Sequence, residues 1–328
     1  MTTHADDLQG PHQAFTSADV LGPAGHAGWE EAPSRKGFFT DTSICIGCKA
    51  CEVACKTWNG VPQDGIFELL GSSYDNTGHL GASTWRHVAF IEQRKPLAGQ
   101  DTGITIGVPA TKEIPDRPRV DLGMPTFELP SASAEASERT DFRWLMSSDV
   151  CKHCTNAACL DVCPTGSLFR TEFGTVVVQE DICNGCGYCI PACPYGVIDQ
   201  RNDDGRAWKC TLCYDRIGDG LTPACAKACP TQSIQYGELD ELRARAAHRV
   251  EKLHEQGETS ARLYGNDEHD GVGGDGAFFL LLDEPEVYGL PPDPIVTTRD
   301  LPAMWKQAGW AALAMAAATV AAFAGRRP

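Results

Sequence analysis

Apolar residues in this chain fall into a few short, well-separated patterns, and the stretches between them are polar or rich in Gly and Pro. From Leu239 to Gln256, the apolar positions Leu242, Ala246, Val250 and Leu253 recur at helical spacing and Gly257 follows. That predicts an amphipathic helix with His248 and His254 on its solvent side. Thr175–Val178 and Ser233–Tyr236 predict short strands. Ala277–Leu282 is apolar throughout, bounded by turn residues and too short for a typical helix, so it predicts a buried strand. Residues 1–36 show no apolar period and read as a flexible arm. Gln93 to Arg139, full of Pro, Ser, Gly and charges, reads as a surface loop, and Pro291 to Pro302 as a linker.

The last pattern is of another kind. Ala308 to Gly325 carries no charge over 18 residues, with Lys306, Trp305 and Trp310 near one end and Arg326–Arg327 after the other. A helical rise of about 1.5 Å per residue gives it roughly 27 Å, close to the hydrocarbon thickness of a bilayer. Alanine supplies little hydrophobic drive, which leaves a helix packed on protein as the rival to a single membrane span. We read it as a span, with Ala308, Ala312 and Ala316 as a row on which a partner's helix can pack closely. The arginine pair places the C-terminus in the cytoplasm and the rest of the chain on the extracytoplasmic side of the cytoplasmic (inner) membrane. Met1 to Lys36 has no apolar core of a signal peptide, so export would require travel with a partner.

Composition changes the picture through one residue type. The chain has 328 residues, room for two or three small modules, and 16 of them are cysteine. Without a signal peptide these argue for metal ligation over a disulfide scaffold. The formal charge of -16, from 28 Lys and Arg against 44 acids, argues against a nucleic-acid partner and suits docking to basic protein surfaces.

The cysteines form four groups of four. Cys45-x2-Cys48-x2-Cys51-x3-Cys55 and Cys183-x2-Cys186-x2-Cys189-x3-Cys193-Pro194 have bacterial ferredoxin spacing. Three cysteines on a tight loop grip three irons of a 4Fe-4S cubane, and the fourth, one helical turn on, serves a neighbouring cluster. Gly47, Gly185 and Gly187 suit the positive backbone angles that such wrapping needs. Cys151-x2-Cys154-x4-Cys159-x3-Cys163 and Cys210-x2-Cys213-x11-Cys225-x3-Cys229 lengthen one gap. The latter, standing alone, could equally be a tetrahedral zinc shell. Because fourth cysteines are exchanged, the groups pair, and chain order suggests nesting. The expected ligand sets are Cys45, Cys48, Cys51 with Cys229; Cys210, Cys213, Cys225 with Cys55; Cys151, Cys154, Cys159 with Cys193; and Cys183, Cys186, Cys189 with Cys163. With every thiolate position filled, no iron is open to substrate, so four 4Fe-4S clusters would relay single electrons and no catalytic residue is expected.

Other motifs carry less. Gly271-Val272-Gly273-Gly274-Asp275-Gly276 satisfies the dinucleotide fingerprint but precedes an apolar strand where a helix is required. His153 reads as a loop histidine, and Trp58, Tyr188 and Tyr195 as shields against water. Lys209, beside Cys210, either raises a cluster potential or is an ordinary exposed lysine.

The stretches Thr42–Cys51 with Trp58-Asn59, then Tyr74-Asp75-Asn76, Lys209–Cys213, Pro223-Ala224-Cys225, Gly271–Gly274 and Tyr288–Pro291, followed by one terminal helix, resemble the beta subunit of respiratory, membrane-bound formate dehydrogenase. The resemblance implies a molybdopterin (Mo or W) catalytic alpha subunit that oxidises formate, and a cytochrome b-type membrane gamma subunit that passes the electrons to quinone. Similar four-cluster subunits serve other molybdopterin oxidoreductases and hydrogenases, and a soluble polyferredoxin is a further alternative. The expected architecture is α+β, with two ferredoxin-like dicluster modules and one C-terminal transmembrane helix. Its expected parts are an arm (1–36), the first half of an outer module (37–92), an insertion (93–140), an inner module (141–207), the second half of the outer module (208–238), a helix-strand extension with linker (239–302) and an anchor (303–328).

Overall fold

A computed structural model describes residues 22–64, 77–93, 143–296, 298 and 301–324. The chain divides into two compact units, one of residues 1–90 with 146–328, the other of residues 91–145. Of the loop expected at 93–139, Gln93 ends a strand, and residues 94–139, like the Tyr74-Asp75-Asn76 motif, lie outside the described residues.

Along the chain run α1 (Gly22–His26), β1 (Lys36–Asp41), α2 (Ala50–Trp58), β2 (Arg86–Gln93), β3 (Arg143–Val150), α3 (Ala158–Asp161), β4 (Leu168–Arg170) and β5 (Val176–Val178). Then follow α4 (Cys189–Ala192), β6 (Asp199–Gln200), β7 (Ala207–Trp208), α5 (Tyr214–Gly218), α6 (Ala224–Ala228), β8 (Ile234–Glu238), α7 (Leu239–Glu255), β9 (Arg262–Tyr264), β10 (Ala277–Leu281) and α8 (Leu301–Ala324). The helix and the three strands predicted from periodicity are α7, β5, β8 and β10, with ends shifted by a residue or two. Within the stretch read as an arm, α1 is helical, the Trp29 indole donates to Arg170 O at 3.0 Å, and Arg35 donates to Thr155 Oγ1 at 2.7 Å.

A four-stranded sheet, in the order β8-β1-β10-β9, organises the first unit. β1 runs antiparallel to β8 and parallel to β10, with Phe39 opposite Phe278. Side chains alternate across a strand, and here the alternation separates two cores. Phe39, Phe278 and Leu280 face α7, whose Leu242, Ala246 and Leu253 complete one core. Phe38, Ala277 and Ile234 join the other, which contains Cys51, Cys55, Cys151, Cys210 and Cys225. Short antiparallel hairpins, β4–β5 and β6–β7, follow the second and third cysteine groups. They close a smaller core around Leu168, Val176, Ile198, Ala207 and Cys189.

In α8, Met304–Ala324 is long and apolar enough to cross a membrane, with a mean hydropathy of 1.4, and none of it is buried within the chain. The packed-helix rival therefore finds no covering surface among the described residues.

Candidate iron-sulfur centres

Each cysteine group wraps a loop and then enters a short helix that carries a later cysteine: Cys51 and Cys55 on α2, Cys159 on α3, Cys189 on α4 and Cys225 on α6. The loops turn through left-handed backbone at Gly47 (φ 64°) and Gly185 (φ 71°). At Gly185 a Cβ would lie 2.4 Å from Gly205 O, so both conformation and space require glycine there. Lys49, His153, Leu212 and Cys213 also take positive φ, which L-residues adopt only when the surroundings impose it.

Thiols from distant segments meet. One cavity is lined by Cys151, Cys154, Cys159 and Cys193, together with Lys152, His153, Tyr195 and Lys209. Another is lined by Cys163, Cys183, Cys186 and Cys189. Cys45 lies within electrostatic reach of Cys229 and Cys48, and Cys55 of Cys225 and Cys213. The neighbourhoods also touch one another. Cys51 interacts with Cys225, Cys210 with Cys151, and Cys159 with Cys189. Cys48 and Cys186 are exposed, whereas Cys51, Cys55, Cys151, Cys189, Cys210, Cys213 and Cys225 are buried.

Burial, with crowding by other thiols, pushes the Cys55 thiol up to about 12. Burial also takes Cys159 up to about 12, against the pull of the Lys209 ammonium, and Cys51 to about 11, against Arg86. Cys163 goes the other way. Its modest burial is outweighed by N–H donors from Leu168, Thr165 and Ser167 and by the Thr165 hydroxyl, and its pKa is lowered. Thiols crowded in this way ionise only when cations hold them together, which iron does.

The surrounding donors fit an anionic cluster. Arg86, Lys152, Arg170 and Lys209 are all buried, and a buried cation without a counter-charge costs several kcal/mol. Only Lys152 has a carboxylate among its hydrogen-bond partners at the described residues, that of Asp149. Lys209 donates to Val176 O and, at 3.0 Å, to Cys210 O, and Arg170 to Gly174 O, Cys154 O and Thr155 O at 2.7–3.0 Å. Thiolates and the clusters they hold supply the missing negative charge, joined at Arg170 by the nearby Asp161 carboxylate. His153 accepts the Val176 N–H at Nδ1, which leaves the proton of its neutral ring on Nε2. That Nε2 is buried, lacks a protein partner, and belongs to a residue lining the cavity of Cys151, Cys154, Cys159 and Cys193. Among the described residues no three His, Cys, Asp or Glu side chains converge on a single-ion site. The zinc shell conceivable for Cys210, Cys213, Cys225 and Cys229 is disfavoured by Cys55, a first-group thiol that lies within electrostatic reach of Cys210, Cys213 and Cys225.

Several functional neighbours are invisible in the cysteine spacing. The histidine read as a loop residue is 2% exposed, and burial followed by the charge of Lys209 keeps it neutral. Lys209 is buried too, so the exposed-lysine reading falls. The Gly271–Gly276 loop braces the second cysteine loop, with Thr155 N–H donating to Gly274 O and Asn156 N–H to Val272 O. Tyr195 closes the cavity and donates to Asp275 Oδ2 at 2.8 Å. Trp58 and Tyr188, expected as shields, are exposed, Trp58 as the last residue of α2 and Tyr188 just before α4. Asn59, which follows α2, reaches both Cys55 Sγ (3.7 Å) and Cys213 Sγ (3.8 Å).

Cysteine loops, interlocked thiols and buried cations together define a multi-cluster electron carrier of the ferredoxin type. Two family models, each described as a 4Fe-4S dicluster domain, match residues 44–167 and 142–239. The formate dehydrogenase iron-sulfur subunit of Haemophilus influenzae is 33% identical over 297 residues, which cover 88% of this chain and 80% of that one. The nitrate-inducible formate dehydrogenase iron-sulfur subunit of Escherichia coli is 34% identical over 289 residues, 87% of this chain and 81% of that one. The B subunit of the anaerobic dimethyl sulfoxide reductase of Escherichia coli is 31% identical over 210 residues, 64% of this chain and 77% of that one. The chain belongs to the family of formate dehydrogenase iron-sulfur subunits. It is an electron-transfer subunit of a larger oxidoreductase, with two dicluster domains and four 4Fe-4S clusters.

Proposed function

We propose that this subunit carries electrons from a formate-oxidising catalytic subunit holding molybdenum or tungsten on a pterin toward a cytochrome b-type membrane subunit and quinone. The clusters are held by the nested sets Cys45, Cys48, Cys51, Cys229; Cys210, Cys213, Cys225, Cys55; Cys151, Cys154, Cys159, Cys193; and Cys183, Cys186, Cys189, Cys163. What carries the reading is the continuous file of thiol neighbourhoods. The Cys51–Cys225, Cys210–Cys151 and Cys159–Cys189 interactions link the sets in one order: first group, fourth, second, third. The exposed thiols Cys48 and Cys186 belong to the two end sets, so the relay has a docking point at each end and a buried middle. α8 anchors the subunit in the membrane with the clusters on the extracytoplasmic side. Formate is favoured over dimethyl sulfoxide because the similarity to formate dehydrogenase subunits covers 88% of the chain, against 64% for the reductase subunit.

The substrate is tested by purifying the chain with its partners from membranes and following cluster absorbance. Formate should bleach the clusters, whereas reduction by hydrogen alone, or reoxidation by dimethyl sulfoxide, would assign another catalytic subunit. The ligand sets are tested by Cys193→Ser. The second group's cluster signal should be lost or altered while the third group's remains, and the reverse result sinks the nesting.

A further inference from the structure

Arg86 lies at the start of β2, outside every cysteine group, and is 1% exposed. Its guanidinium donates through Nη2 to Cys225 Sγ at 3.4 Å and through Nη1 to Ser148 O at 3.1 Å and Ser148 Oγ at 3.2 Å. Ser148 Oγ in turn lies 3.2 Å from Cys51 Sγ. One cation therefore touches a thiol of the fourth group directly and a thiol of the first through a single hydroxyl. Its Nε is buried without a protein partner, and the Phe38 ring lies 5.0 Å from Cζ. No carboxylate is among its hydrogen-bond or ion-pair partners at the described residues. Burial alone would lower its pKa, but Cys225, Cys51, Cys210 and Cys55 together outweigh burial and keep it raised.

We infer that Arg86 is a fixed positive charge between the first-group and fourth-group clusters that raises the reduction potential of both, and of the fourth-group cluster more. Reduction adds one electron to an already anionic cluster and makes or breaks no bond. A permanent cation at a ligand sulfur stabilises the reduced form more than the oxidised one, and the effect is large because the site is buried. Direct contact with Cys225, against contact through Ser148 with Cys51, makes the effect unequal. An electron shared by this pair consequently favours the fourth-group cluster, the one next to the second group. Arginine suits the place because its planar fork can hold Ser148 and Cys225 at once, and its charge is not lost at any working pH.

The inference rests on the ligand sets proposed above, and the two can fail separately. The test is a mediated redox titration of the purified complex with dithionite, followed by electron paramagnetic resonance. The fourth-group signal is identified by its loss or change in Cys213→Ser. In Arg86→Gln, at a fixed solution potential, the reduced-to-oxidised ratio of that cluster should fall at least about tenfold, a downward shift of ~59 mV for one electron. The first-group cluster should shift less, in the same direction, and the second- and third-group clusters not measurably. Arg86→Lys, which keeps the charge, should restore most of the potential. A fully loaded Arg86→Gln with an unchanged fourth-group potential, or an equal shift of all four clusters, overturns the assignment. If Arg86→Gln fails to load, Arg86→Lys decides: a fourth-group potential near wild type supports the role of charge, and a tenfold fall in that variant overturns it. A wrong ligand set would instead appear as Cys55→Ser and Cys213→Ser altering the signals of different clusters.

Discussion

Gly185 and Arg86 show what a single residue contributes here and how unequally the sequence announces it. A glycine between cysteines of a cluster loop is readable as a positive-φ position, and Gly185 takes φ 71°. Its second constraint, the Gly205 carbonyl 2.4 Å from where a Cβ would stand, depends on the β6–β7 turn and cannot be seen in the spacing. Gly185→Ala therefore combines left-handed strain of about 1–2 kcal/mol with a clash against backbone. It should lose most of the third-group cluster, measured as iron per chain and by that cluster's signal. Gly220, at φ 72° with open space around it, is the control. Gly220→Ala should cost only the strain and keep all the iron, and equal losses in the two variants would show that space plays no part. Of the buried cations, Lys209 was marked only by its place beside Cys210, and Arg86, Lys152 and Arg170 were not legible. Charge in a sequence normally means exposure, whereas these cations are buried among thiols, with Asp149 as a further partner of Lys152 and Asp161 near Arg170.

At the level of elements, period explains what could be read and what could not. α7 has its apolar face at helical spacing, and β10 is an unbroken apolar run, so both were legible with near-correct ends. Short β6 and β7 have no such signal; their two-residue pairing depends on the cysteine loop that they close. Nor does alternation in Lys36–Asp41 show that Phe38 serves the cysteine-lined core while Phe39 stacks on Phe278 at 5.3 Å on the α7 side. Among the described residues α8 has no packing to explain it. A chain ending after Asp300, expressed with the same partners, should leave the detergent-requiring membrane fraction or be held there only by its partners. Its four clusters should remain, because no thiol lies on α8. Loss of clusters on truncation would mean that α8 supports the fold as well as anchoring it.

For the whole molecule, the cysteines join segments that the sequence keeps far apart, and iron should matter unequally to the two halves of the interior. The core between α7 and the sheet consists of Phe39, Leu239, Leu242, Ala246, Leu253, Ala261, Phe278 and Leu280, with no cysteine among its buried residues. The hairpin core near the second and third groups has few buried apolar side chains and relies on Cys189, with Cys159, Cys163, Cys183 and Cys193 packed around it. Without iron, those thiols are crowded, and Arg170 and Lys209, neither of which hydrogen-bonds to a carboxylate at the described residues, lose the anionic clusters beside them, a burial penalty of several kcal/mol per unpaired ion. The α7 core keeps its hydrophobic burial. Removal of iron by a chelator under reducing conditions should therefore expose the amides of β4–β5 and β6–β7 to rapid hydrogen exchange, while those of β1, β10 and α7 retain most of their protection. Uniform loss of protection would mean that the clusters hold the entire fold. Unchanged protection of the hairpins would mean that their small apolar core is sufficient and that the buried cations find other partners.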